Sequence, residues 1–249
     1  MTYSLGSVID DADYNGFAAS TDAVWGAGSG TNGYGQTNTV GTVAAGATIT
    51  ATQWATLLTR IASAAAHSGT SISAISNPTA GSTISAYAAL STNVSAITNN
   101  NAAASGTDAS ATTSTTATWS SSATTSKVIT FASAAAMRYF FNAGGMIRMS
   151  FSRSGGSSTT QNTSWTNLLA SSGTIVLTGD GGSKSIAGVA YTGTTKIGGS
   201  GTNTTLATST GAYNLSGTAV TLYKQLSATY TYTSNYININ ATDTATTIT

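Results

Sequence analysis

Between residues 48 and 98 the apolar positions recur at helical spacing, and beyond residue 117 they alternate with polar ones. The clearest helical stretch is "TITATQWATLLTRIASAAAHSG". Its Trp54, Leu57, Leu58, Ile61 and Ala65 follow i, i+3, i+4, i+7 spacing. Thr50, with Gln53 three positions on, predicts a capping box, and Gly69 predicts the stop. A second helix is expected from about Ser82 to Thr98, with Ile84, Tyr87, Leu90 or Ser91, Val94 and Ile97 on one face. Asn77-Pro78 and Gly81 punctuate the join, so the two helices should pack as an antiparallel hairpin. Residues 1 to about 46 read as irregular and glycine-rich.

"NNNAAASGTDASATTSTT" has no period and no bulky apolar residue, which predicts a linker over 99–117 between regions 1–98 and 118–249. After it "KVITF" reads as a strand, and "MRYFF" and "MIRMSF" read as a hairpin around Asn142-Ala143-Gly144-Gly145. "TSWTNLLASSG" predicts one short helix with Trp165, Leu168 and Leu169 on a face. "TIVL", "KSIAGVAYTG", "AVTLYKQL" and "ATYTYTSNYININA" complete a run of short strands separated by Gly, Ser and Asp turns. The expected class is α+β: an N-terminal helical hairpin region, then an antiparallel β-sandwich with a short helical insertion.

Composition narrows the function classes. Only 6% of the 249 residues are charged, glutamate is absent, and threonine is about one residue in five. The net charge is +1, and hydrophobic residues make up 40%. Disordered chains pair low hydrophobicity with high net charge, so this one should fold. Capture of nucleic acid or of an anionic membrane needs clustered Lys and Arg, which a near-neutral chain lacks. No apolar run approaches a transmembrane length, so no membrane insertion is expected. Without cysteine there is no disulfide framework and no thiolate site. The first residues lack the basic and apolar regions of a secretory signal. A charge-poor surface on a chain without an export signal fits a protein that assembles in a cell and leaves in a virus particle.

The candidate chemical motifs are weak. "GSGTNG" (Gly28–Gly33) has the spacing of a dinucleotide loop but lacks the flanking strand, helix and downstream acid. "IVLTGDGGSKS" has Ser183 where a P-loop needs glycine, and reads as a turn around Asp180-Gly181. His67 is the single histidine and falls in the last turn of a helix, where a cation suits the dipole. The carboxylates of "DDADYNGF" lack the spacing of a calcium loop and read as an acidic patch. A glycosidase needs two positioned carboxylates, and nothing singles out a pair such as Asp108 and Asp180. The expectation is no enzyme, no cofactor, no metal site and no catalytic residue.

Three of the four arginines fall in one stretch, "MRYFFNAGGMIRMSFSRSGG". Strand alternation would place Arg138, Phe140 and Asn142 on one face. Arginine over an aromatic ring can stack and still hydrogen-bond, which makes Arg138, Arg148 and Arg153 candidate subunit or domain contacts.

"AAAMRYFFNAGGMIRMSFSRSGG" followed by "NTSWTNLLASSGTIVL" resembles a segment of virion structural proteins of tailed bacteriophages, especially contractile-tailed phages of marine cyanobacteria. "YGQTNTVGTVAAGATITATQWATLLTRIASAAAHSGT" is similar to their lead-in, helix and closing turn, so the likeness touches most of residues 32–178. The resemblance implies a tail, neck, baseplate or fibre component located in the virion after assembly in the host cytoplasm. It implies a homo-oligomer, a trimer or hexamer on a tail axis, with other virion proteins as partners. A capsid decoration protein is a variant of the same reading. The alternative is a host-glycan receptor-binding module, for which Tyr230 and Tyr232 on one strand face are the candidate contacts.

Overall fold

The computed structural model describes residues 10–79, 86–103, 112–113 and 121–249. The chain divides into two compact units. One comprises Met1–Ser105, Arg138–Gly144 and Ser185–Val189, and the other Gly106–Met137, Gly145–Lys184 and Ala190–Thr249. The α+β class holds, with helices early and strands late.

Among the described residues up to 103 there are three helices rather than the expected two. The region expected to be irregular contains α1 (Asp11–Trp25), and the acidic cluster is its start signal. Asp10 caps the helix by accepting from the Asp13 N–H at 2.9 Å, while Asp13 returns a bond to the Asp10 N–H. Carboxylates in a first turn also suit the positive end of the helix dipole. Tyr14, Phe17, Ala18, Thr21 and Val24 form its buried face.

Helix α2 (Ala51–Ser68) has the expected capping box. Gln53 N–H donates to Thr50 Oγ1 at 3.2 Å and Thr50 N–H to Gln53 Oε1 at 2.8 Å. Gly69 ends the helix at φ +63°, a left-handed conformation open to glycine. Trp54, Leu57, Ile61, Ala64 and Ala65 are buried, while Leu58 is only half-buried. Helix α3 (Tyr87–Asn99) buries Leu90, Asn93, Val94 and Ile97. The segment expected to open it, 82–85, lies outside the described residues. The three helices share one core with Tyr34.

Side-chain amides hold the connecting segments of this unit. Asn15 accepts from Val43 N–H and donates to Val43 O, and Asn93 does the same to Ser73, all at 2.8–2.9 Å. Each amide mimics a strand partner, so irregular backbone keeps its hydrogen bonds without a sheet. Most of the expected linker lies outside the described residues. Of its first residues, Asn99 ends α3, Asn100 is exposed, and Asn101 and Ala102 are buried in the turn after the helix.

"MRYFF" is not a strand. Residues Ala134–Asn142 form α4, with Ser133 Oγ accepting from the Ala136 N–H at 3.0 Å. The alanines ahead of Met137 supply helix propensity, and Arg138 and Asn142 share a helical face at i, i+4. The expected hairpin is therefore a helix followed by strand β2 (Ile147–Met149).

The second unit opens with β1 (Ile129–Thr130), shorter than "KVITF" suggested. Helix α5 (Thr160–Ser171) matches expectation, capped by Thr159, whose Oγ1 accepts from Asn162 N–H. Strand β3 (Thr174–Leu177) lies between β2 and β6 (Thr194–Ile197) in an antiparallel sheet. "KSIAGVAYTG" is two strands, β4 (Ser183–Ile186) and β5 (Val189–Thr192). Positive φ at both Ala187 and Gly188 makes the tight two-residue hairpin turn.

A second three-stranded sheet runs β7 (Asn203–Leu206), β8 (Val220–Leu226), β9 (Tyr236–Ala241). Strand β10 (Thr247–Ile248) pairs with β1. The pairing thus gives four small antiparallel sheets among the described residues and leaves a two-sheet sandwich unconfirmed. Leu168, Ile175, Tyr223, Ile237 and Ile239 form a buried cluster, with Trp165 and Leu169 packed against it.

Candidate functional site

The most specific side-chain arrangement surrounds the loop that follows α1. Gly26 N–H closes the helix on Asp22 O, and Tyr34, Gly35 and Gln36 then bond back to Val24, Gly26 and Trp25. The turn needs glycine at Gly28, where φ is +53° and a Cβ would lie 2.4 Å from Asn32 O. This compact turn presents its carbonyls to α4. Arg138 donates to Ala27 O at 2.7 Å and to Asn32 O at 3.3 Å. Asn142, almost fully buried, donates through Nδ2 to Asn32 O at 2.9 Å and Gly33 O at 3.2 Å. Asn101 Nδ2 reaches Asn32 Oδ1, and Tyr34 OH donates to Asn101 O, both at 2.5 Å. Gly35 admits the Tyr139 ring where any Cβ would collide with it at 2.3 Å.

The arrangement decides the reading of "GSGTNG". A phosphate cradle offers backbone N–H groups, whereas "GSGTNG" offers carbonyls that Arg138 and Asn142 take up. The loop follows a helix rather than a strand, so the dinucleotide spacing is coincidental. His67 is exposed on the last turn of α2 and meets Tyr34 edge-on at 4.6 Å. Asp10 and Asp13 form the α1 cap, and Asp22 accepts from Val40 and Gly41 N–H. Among the described residues no group of three His, Cys, Asp or Glu side chains could hold a metal ion. Asp108 lies outside them.

The other arginines part company with Arg138. Arg153 is held within its own unit by Asn162 O (2.9 Å), Thr166 Oγ1 (3.0 Å) and Gly155 O (2.8 Å). Arg148 is exposed at the centre of β2. The single tyrosine-rich strand is also corrected. Tyr230–Tyr232 is a 3-10 turn between β8 and β9, so Tyr230 and Tyr232 share no strand face. Tyr232 is half-buried, and the Tyr230 side chain lies outside the described set. Asn235, the next residue but two, closes this turn by donating to Tyr232 O.

Within the second unit, Gln225 is the centre of a buried polar network. Its Nε2 donates to Ser171 Oγ at 2.7 Å, and its Oε1 accepts from Lys196 Nζ at 3.3 Å and from Tyr223 OH. Lys196 also donates to Gly201 O. Burial pulls the Lys196 ammonium below its usual range, because the cation loses water here. Beside this network is an open groove of about 440 Å³, lined by Asn167, Ser171, Ser200, Ser227 and Thr229 among others, with no charged side chain. Neither feature was visible beforehand: Gln225 sits in an ordinary alternating strand, and only its partners make it unusual.

Burial pushes the Tyr34 and Tyr223 phenols up to about 12, with the Ser68 hydroxyl opposing the rise at Tyr34. Both are raised above an unfolded value of 10, so their contribution is complete below pH 10. It is lost as pH climbs toward about 12, because the unfolded chain then releases protons that the folded chain keeps. The expected loss approaches 2–3 kcal/mol per tyrosine, about 1.4 for each unit of pKa difference. Absorbance titration at 295 nm of wild type, Tyr34→Phe and Tyr223→Phe checks this. Each substitution should delete one late-ionising step, and a titration without late steps overturns the expectation.

Compared with known proteins, the chain matches no family model, no curated protein and no solved structure.

Proposed function

We propose that the chain is a structural component of a tailed-bacteriophage particle, a tail, neck, baseplate or fibre appendage that works through subunit assembly. One observation carries the reading. Of the residues behind the sequence resemblance, Gly35 of "YGQT" makes room for the Tyr139 ring of "RYFFNAGG", beside which Arg138 and Asn142 bind the carbonyls of Ala27, Asn32 and Gly33. Their polar groups close a backbone turn, which is the work of a folding signature rather than of a reaction centre. The charge-poor composition supports the same reading, since few ions need to be desolvated at a subunit contact. Exposed Ile197, Leu226 and Tyr236 in the second unit offer apolar surface for one. Decoration of a capsid is a variant of this role.

A host-glycan receptor-binding role is the second reading, favoured by the uncharged, hydroxyl-rich groove beside Thr229. No described helix is long and apolar enough to cross a membrane. The test is mass photometry with negative-stain imaging of the tag-free protein over a range of concentrations. A defined oligomer, closed or elongated, is the expected result. A compact monomer that binds on a glycan array would replace the first reading by the second.

A further inference from the structure

The sheet edges of the second unit are not alike. Strand β2 ends its sheet with three residues, and the exposed Arg148 stands at its centre. Strand β7 ends the other sheet with a register irregularity between Asn203 and Thr205. Shortness, a charge and a bulge are the usual devices that stop an edge from recruiting another strand. Strand β9 has none of them. "YININA" is six residues long and uncharged, lacks proline, and alternates exposed Tyr236, Asn238 and Asn240 with buried Ile237, Ile239 and Ala241. Among the described residues β9 pairs along its length with β8 alone.

The phase of its backbone follows from the bonds at its two ends. Ser227 N–H donates to Asn235 O at 2.8 Å, so Asn235, Ile237 and Ile239 face β8, while Tyr236, Asn238 and Asn240 turn their N–H and C=O outward. Thr242, next in the outward series, exchanges both backbone bonds with Thr249 at 2.9 and 3.0 Å. The outward side therefore already accepts a strand one step further along. Among the described residues nothing pairs with the outward side from Tyr236 to Asn240. This window lies between the turn at Asn235 and the Thr242–Thr249 pair.

We propose that this window is a self-pairing seam, in which Tyr236–Asn240 of one copy hydrogen-bonds antiparallel to Tyr236–Asn240 of a second copy about a twofold axis at Asn238. The occupant follows from fit. An antiparallel β9 centred on Asn238 has the length of the window, and its own chain leaves the line at Asn235, before it would meet Thr249. Its outward groups are in phase, giving about six backbone hydrogen bonds. The pairing sets Asn238 opposite Asn238 and Tyr236 opposite Asn240, with no charge facing a like charge. The amide row is already ordered: Asn238 Nδ2 donates to Asn240 Oδ1 at 3.0 Å, and Thr221 Oγ1 to the same oxygen at 2.9 Å. Exposed Leu226 and Tyr236, partners across β8 and β9, add apolar area at one end. The inference rests on the assembly reading and names one of its contacts. A twofold seam makes the copy number even, so it selects a hexamer over a trimer.

The test uses the full chain, followed by mass photometry and sedimentation from about 0.1 to about 100 μM, a span that reaches weak contacts. Asn238→Pro removes the central outward N–H, a substitution that a solvent-facing edge tolerates. Asn238→Lys sets two cations face to face and guards against a Pro variant that misfolds. Thr204→Lys, exposed on β7, is the control. Even-numbered species are expected for wild type and Thr204→Lys, with association weakened at least about tenfold in both Asn238 variants and an unchanged circular-dichroism melt for Asn238→Lys. Oligomers insensitive to both Asn238 variants would overturn the seam and leave the assembly reading standing. A wild type that stays monomeric throughout would overturn both.

Discussion

Gly144→Ala is expected to cost about 3–5 kcal/mol, a large share of the stability of an ordinary domain. Gly144 follows α4 at φ +96°, where an L side chain is strained. A Cβ there would stand 1.8 Å from the carbonyl oxygen of Ala102, with Ile186 Cγ2 at 3.2 Å. That obstacle is backbone, anchored by the buried Asn101 and Ala102, so it cannot swing aside as a flexible side chain would. The strained conformation and the collision therefore add. Urea unfolding followed by circular dichroism reads the loss. Gly16→Ala is the control, because its Cβ would meet nothing within 4 Å and φ there is not positive. In the interior of α1 the added methyl should be neutral or slightly stabilising. Equal midpoints for the two variants would remove the steric account of the "NAGG" motif.

Trp54→Ala should cost a similar amount, about 3–5 kcal/mol, by a different route. Trp54 is 1% exposed and is the largest fully buried side chain among the described residues. It lies 6.3 Å, centroid to centroid, from Tyr14, so its removal opens a cavity against α1 as well as losing apolar burial. Tyr14 OH, which donates to Gln53 O, would stand beside that cavity. The measurement is again denaturant unfolding, and a loss below about 1 kcal/mol would mean that the helices collapse to fill the space. Leu58 is the useful comparison. The sequence pattern put it on the same face, yet it is only half-buried, and its truncation should be felt less.

These two sites also mark what could be read beforehand. Helix α2 was legible because cap, period and stop agree over one continuous stretch. Helix α5 and strand β3 were legible from their apolar residues, although the Thr159 cap of α5 was not read. Helix α1 was not, because its buried face includes Ala18 and Thr21, which dilute the apolar period, and Gly16 sits in its middle. The aspartates of "DDADYNGF" drew attention to ion binding, when Asp10 and Asp13 cap the helix, and Asp22 holds the chain that follows it. Helix α4 was misread because Tyr139, Phe140 and Phe141 favour strands locally, while the capping Ser133 and the three alanines lie just outside the quoted run. That error hid the clasp. On a strand Arg138 and Asn142 are two residues among several on a face, whereas on a helix they are neighbours aimed at one loop.

The candidate site was legible in composition but not in geometry. The cluster of arginines is visible in the chain; the carbonyls that Arg138 binds are 106 and 111 residues away in sequence and carry no side-chain signature. The asparagines Asn15, Asn93, Asn101 and Asn142 were hidden in plain sight. In a chain so rich in asparagine nothing distinguishes those that brace a loop from those that face solvent. The β9 edge was masked by merging it with the 3-10 turn at Tyr230–Tyr232 into one long strand.

The clasp has a bearing on where such a protein could survive. Acid unfolds many proteins by protonating the carboxylates that salt bridges and buried hydrogen bonds depend on. The bonds from Arg138 and Asn142 end on the peptide oxygens of Ala27, Asn32 and Gly33. A guanidinium, a carboxamide and a peptide carbonyl keep their protonation through any ordinary change of medium. These bonds therefore do not depend on a carboxylate keeping its charge, unlike the Asp10 cap of α1 and the Asp22 bonds to Val40 and Gly41.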